Sequence, residues 1–120
     1  MVDDSHYETL VSRQLLMNQQ TWAALQSHGV TEQTELRLDF SYDASNREAA
    51  EILRVFLMQE TDYDVRVESD GSFLRKKWRV EGSTQATTVS PQILDEWVTW
   101  MVIAGKEKGG CDFDGWGTPV

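Results

Sequence analysis

Glu35-Leu36-Arg37-Leu38-Asp39-Phe40-Ser41-Tyr42-Asp43 alternates polar and apolar residues along its whole length. Successive β residues point to opposite sides. Leu36, Leu38, Phe40 and Tyr42 therefore share one face and Arg37, Asp39 and Ser41 the other, the pattern of a strand buried on one side only. Immediately afterwards the period changes. Ser45-Asn46-Arg47-Glu48 has the S-x-x-E form of a capping box, and Ala49, Ile52, Leu53, Phe56 and Leu57 recur at helical spacing, so a helix is expected to about Gln59.

Tyr63, Val65 and Val67 return to period two, and Asp70-Gly71 reads as a hairpin turn in which glycine tolerates positive φ. The returning strand would carry Leu74, Trp78 and Val80 inward and Arg75, Lys77 and Arg79 outward, with Arg66 facing the same way from its neighbour. Gly82 to Val89 is polar and threonine-rich, suiting either a loop or an irregular strand extension. Ser90-Pro91, a cap followed by proline at the first helical position, opens a helix to about Glu107 with Leu94, Trp97, Val98 and Met101 on one stripe. Gly109-Gly110 breaks it, and Cys111 to Asp114 forms a short strand before Gly115-Trp116-Gly117-Thr118.

Upstream, Ser5 to Glu8 is a further S-x-x-E box, and Tyr7, Leu10, Val11, Leu15, Trp22 and Leu25 fall in a stripe roughly 140° wide before Gly29. Gln14 and Asn18 dilute that stripe, so this leading helix is expected to lie over the domain and not at its centre. Without it the order is βαββαβ. The expected fold is therefore α+β and ferredoxin-like: a four-stranded antiparallel sheet with two helices on one face, plus the extra N-terminal helix. Residues 1–33 form the helix and its connection, and 34–120 the ferredoxin-like domain, in one compact unit with no internal repeat or linker.

A chain of 120 residues suits one domain and buries enough surface to fold without a disulfide or structural metal. Its 20 Asp and Glu against 11 Lys and Arg give a net charge of −9, which repels phosphate backbones and anionic membranes unless the basic residues gather on one face. A single cysteine, Cys111, excludes an internal disulfide and a cysteine-cluster zinc site, and fits a reducing cytoplasm. The acidic start, Met1-Val2-Asp3-Asp4, lacks the apolar stretch of a signal peptide, and no apolar run approaches a membrane span.

Arg75, Lys77 and Arg79, joined by Arg37 and Arg66, make the one basic strip, interleaved with Asp39, Asp64 and Glu68. A cross-strand charge ladder accounts for it. An RNA-binding sheet would need outward aromatics on the central strands, where only Phe73 is available to stack, so direct nucleic-acid binding is disfavoured. Asp112 and Asp114 share a strand face but supply too few ligands for a hard cation. His6 and His28 lie near helix ends with no nucleophile nearby, and no catalytic or cofactor-binding motif is present, so neither cofactor nor catalytic residue is expected.

Trp22, Trp78 and Trp97 lie on inward stripes. Trp100 and Ile103 extend the last helix's apolar surface beyond what one sheet buries. Either the leading helix covers that flank or the two form an exposed patch for a partner.

Cys111-Asp112-Phe113-Asp114-Gly115-Trp116-Gly117-Thr118 resembles the signature, E/D-Y/F-D-G-W-G/E, that closes RraB-type proteins, regulators of ribonuclease E activity. The resemblance runs over roughly residues 34 to 118, through an L-x-F-x-Y strand, a helix opening R-E-A-A, a hairpin and a last helix ending in Gly-Gly. It implies a ferredoxin-like fold and a cytoplasmic, non-enzymatic protein that binds ribonuclease E and modulates RNA decay. It also nominates Asp114, Gly115, Trp116 and Gly117, although two glycines around a tryptophan equally suit a tail folded back to plug the core.

The leading expectation is an acidic regulator that binds ribonuclease E or another protein with a basic segment, touching it through Trp100, Ile103, Asp112 and the 114–117 motif. Homo-oligomerisation remains open. The alternative is a small-molecule-binding or enzymatic domain, with a pocket between the sheet and the terminal segment.

Overall fold

In a computed structural model describing residues 4–72 and 75–119, the elements run α1 (Asp4–Ser27), β1 (Glu35–Leu36), β2 (Asp39–Ala44), α2 (Arg47–Glu60), β3 (Asp64–Ser72), β4 (Arg75–Ser83), β5 (Thr87–Thr88), α3 (Pro91–Glu107) and β6 (Asp112–Gly117). The main sheet is antiparallel with order β3-β4-β2-β6. This is an α+β fold of the ferredoxin-like βαββαβ type, with α1 added in front. No helix among the described residues is long and apolar enough to cross a membrane.

The strand predicted over 35–43 is two strands with different partners. β2 pairs with β4 and β6, whereas β1 pairs with β5 in a separate ribbon. Thr84 makes the switch: its hydroxyl accepts the Leu38 N–H at 3.1 Å and its own N–H donates to the Leu38 carbonyl at 2.9 Å. The 82–89 segment is thus a strand extension interrupted by a side-chain bond.

The caps show how the sequence sets the helix ends. α2 is capped by Asn46, not by Ser45 as the box pattern predicts, its Oδ1 accepting from Ala49 N at 2.8 Å. Ser90 caps α3 through Ile93 N, with Pro91 at the first position. At the end of α1, Gly29 takes φ +88 while Val30 N bonds Leu25 O and Gly29 N bonds Gln26 O, a Schellman closure that brings Leu25 and Val30 together in the core. The box at Ser5 lies outside the described side chains.

Two clusters fill the space between the layers. One joins Phe40, Tyr42 and Val80 of the sheet to Leu53 and Leu57 of α2 and Met101 of α3; the other joins Leu25 and Val30 to Leu36, Leu38, Val89 and Leu94. Trp97 and Trp116 pack against both, their rings 6.2 Å apart edge to face. Ile52, expected inward, is exposed, because α2 is rotated to set Ala49 and Ala50 beside Leu53. The predicted turn at Asp70-Gly71 also moves: the β3–β4 ladder continues to Ser72 opposite Arg75, and Phe73 and Leu74 lie outside the described residues.

Helix α1 packs along α3. Its polar pair lies in that contact: Gln14 and Asn18 are buried, and Asn18 is the joint of a three-residue chain. The Asn18 amide donates to Asp95 Oδ1 at 3.0 Å and its oxygen accepts the Trp116 indole N–H at 2.8 Å. The residues that dilute the stripe in sequence thus tie α1 to both α3 and β6.

Candidate functional site

The open face of the sheet carries the charges. Arg66 bonds Glu68 at 3.0 Å and Glu81 at 2.9 Å, Arg79 approaches Glu81 at 3.6 Å and Asp114 at 3.2 Å, and Arg37 bonds Asp64 at 2.8 Å. Arg79 also donates to Ser41 at 2.9 Å, and Ser83 donates to Asp39 at 2.6 Å. Most of these pairs are solvated, Arg79–Glu81 being half-buried, and they contribute about 0.2–1 kcal/mol each. Lys77 is exposed, and the side chain of Arg75 lies outside the described residues. On this face, β2 offers Asp39, Ser41 and Asp43, and the described part of β4 offers Lys77, Arg79, Glu81 and Ser83, so no base-stacking platform is formed among them.

The terminal strand is longer than predicted and carries a bulge. Its register shifts between Ser41 and Tyr42, leaving Asp114 as the extra residue, and Gly115 takes φ +140. Phe113 and Trp116 turn inward: Phe113 meets Tyr42 and Trp97, and Trp116 meets Trp97. Asp112 pairs with Lys106 of α3, and Asp114 with Arg79. A side chain at Gly115 or Gly117 would enter open space. The 114–117 motif thus plugs the core with its tryptophan while facing its aspartate and glycines outward.

Concavities flank that strand on two sides. A shallow hollow of about 550 Å³ on the open sheet face lies over Ser41, Gly115 and Gly117 and is rimmed by Arg66, Arg79 and Met17. A narrower cleft of about 460 Å³ opens between α1 and β6.

The outer face of the helical layer is different in kind. Phe56 of α2 and Trp100 of α3 stack with ring centroids 6.0 Å apart and planes 24° from parallel. Around them Ile52, Val55 and Ile93 are exposed, as is Trp100 itself at 40%, with half-buried Ile103 one turn on. Helix α1 covers the adjoining flank of α3, reaching Asp95, Val102 and Lys106, and leaves Trp100 exposed. A groove of about 410 Å³ runs past Thr99, Trp100 and Ile103 beside Asp95 and Glu96. A second, of about 540 Å³, joins Ile93 and Trp100 to Glu60 and Glu96. Arg54 is paired within α2 to Glu51, and Lys108 sits over the Phe56 ring at 5.2 Å. Sequence reasoning named Trp100 and Ile103 and placed Phe56 inward, where it does pack against the core, but it also placed Ile52 inward and so missed most of the α2 half of this surface.

Burial raises the hydroxyl pKa of Tyr42, which donates to the Met101 carbonyl at 2.7 Å. Burial likewise raises Tyr63, opposed by the bond from the Trp97 indole N–H, and pushes the Cys111 thiol up to about 11. Tyr42 and Cys111 belong to the core, and Tyr63 packs against it.

The fold and its surfaces define a class, an acidic α+β domain of ferredoxin-like topology with a self-paired charged sheet and an uncovered apolar helical face. Compared with protein-family models and with curated proteins, the chain matches none.

Proposed function

We propose that this protein is a non-enzymatic regulator, resembling modulators of ribonuclease E, that binds another protein through the outer face of α2 and α3. The observation that carries the reading is the Phe56–Trp100 stack, in which Phe56 is half-buried against the core and Trp100 is exposed, extended by Ile52, Val55, Ile93 and Ile103. Large aromatics surrounded by aliphatic side chains form the energetic centres of protein interfaces. Glu60 and Glu96 border the grooves, and the chain carries a net charge of −9. The occupant is therefore a basic amphipathic segment, its apolar side chains on the stack and its lysines or arginines on the carboxylate rim. The resemblance of residues 111–118 to RraB-type proteins makes ribonuclease E the first such partner to examine.

The test uses purified ribonuclease E and the double variant Ile52→Glu/Ile93→Glu, both positions being exposed. Wild-type protein binds, with affinity that falls as salt rises, and the variant loses about tenfold or more while keeping its fold. No binding of ribonuclease E by the wild type overturns that partner, and equal binding by the variant overturns the surface.

A further inference from the structure

The cleft between α1 and β6 contains polar groups that the fold leaves unused. Gln14 is only 8% exposed and lines the cleft, yet its amide has no hydrogen-bond partner among the described residues. The amide atoms themselves reach the cleft, since the unpartnered side-chain atoms fully buried among the described residues are Tyr7 Oη and Arg79 Nε, so Gln14 presents an available donor and acceptor to whatever enters it. Across from it, Asp43 of β2 stands opposite Asp112 of β6 on one side, an unfavourable like-charge pairing, and opposite Arg79 of β4 on the other. Asp112 is balanced by Lys106, but Asp43 has no ion pair among the described residues, and neither has Arg13 at the α1 side. Leu10 and Phe113 supply apolar wall between these charges. No three carboxylate, histidine or cysteine groups among the described residues gather into a set that could hold a metal ion.

From this arrangement we infer that the cleft binds a small zwitterion, an α-amino acid with an apolar side chain. Its ammonium sits against Asp43 and relieves the opposition to Asp112. Its carboxylate meets the Arg13 guanidinium, the Gln14 amide completes the polar contacts, and its side chain lies on Leu10 and Phe113. The volume of about 460 Å³ falls in the range of small-ligand pockets, roughly 300–1,000 Å³. This site is separate from the α2–α3 face, so the two readings stand or fall independently.

L-leucine is the probe, titrated into the isotopically labelled full chain and followed by amide chemical shifts. Saturable shifts centred on Arg13, Gln14, Asp43 and Phe113 are expected. Leucinamide, without the carboxylate, and 4-methylpentanoate, without the ammonium, should each bind about tenfold or more weakly. Asp43→Asn and Arg13→Gln, both on exposed side chains, should weaken L-leucine similarly while leaving the remaining spectrum in place. Absence of saturable shifts with L-leucine at millimolar concentrations overturns the proposal. So do shifts of equal size from the two truncated analogues, or undiminished binding by both variants.

Discussion

Replacing Asn18 by leucine removes the joint between three elements while keeping a side chain of similar size. The substitution leaves the Trp116 indole N–H without its acceptor and takes a donor from the Asp95 carboxylate. A neutral hydrogen bond contributes about 0.5–1.5 kcal/mol and one to a charged group about 1.5–3, so the expected loss is about 2–4 kcal/mol. For a domain of this size, about 3 kcal/mol corresponds to roughly 10–15 °C in Tm. Urea unfolding followed by tryptophan fluorescence reads the loss directly. On a Trp116→Phe background, which has no indole N–H, the same substitution should cost about 1 kcal/mol less, a coupling that isolates the indole bond. Asn18→Asp sharpens the test. It keeps an acceptor for Trp116 but sets a second carboxylate against Asp95. That repulsion raises the pKa of the new carboxyl in the folded state, so its protonated form supports the fold at low pH and the support is lost as pH rises through the raised pKa. Relative to wild type the variant should therefore recover on going from neutral pH toward the ordinary carboxyl range, about pH 4. An Asn18→Leu loss below about 0.5 kcal/mol would refute the claim that this buried amide fastens α1 to the domain.

Other consequences are equally specific. A methyl at Gly105 would fall 2.5 Å from the Tyr42 ring and 2.9 Å from the Cys111 carbonyl, so Gly105→Ala should cost about 1–3 kcal/mol; Gly117→Ala, which meets nothing, should stay within about 0.5 in the same melts. Arg79→Met should remove about 1 kcal/mol at low salt, and the difference from wild type should shrink at 1 M salt, because its partner Asp114 is solvated and Glu81 partly so. Cys111 rises from an ordinary 9.0 to about 11, so the stability it contributes is complete below about pH 9 and disappears as pH climbs through 11. A denaturation series should show that decline, with Tyr42 and Tyr63 steepening it, and iodoacetamide should label the native thiol only as fast as the core opens. A pH-independent midpoint across that interval would contradict the burial argument.

Much of the architecture follows from local periodicity because each strand of the main sheet has one wet face. Phe40 and Tyr42 alternate with Asp39 and Ser41, and Ser90-Pro91 fixes the start of α3, so these elements stand where the residues place them. What periodicity cannot carry is the identity of a partner. The 35–43 segment changes neighbours at Leu38 because Thr84 interposes a hydroxyl, a contact between residues 46 apart. Asn18 looks like an interruption in an apolar stripe until Trp116, 98 residues away, appears opposite it. The candidate surface was half legible for the same reason. Trp100 and Ile103 exceed what one sheet buries, whereas the exposure of Ile52 depends on how far α2 rolls to seat Ala49 and Ala50. The unpaired Gln14 and Asp43 emerge only once α1 is laid against β6.

The central claim is that the uncovered face of α2 and α3 receives a basic partner. Mapping amide shifts of the labelled protein during titration with ribonuclease E tests it most directly. The account predicts losses or shifts at Ile52, Val55, Phe56, Trp100 and Ile103, fading as salt is raised. Perturbations confined to the charged sheet face around Arg66 and Arg79, or none at all, would contradict it.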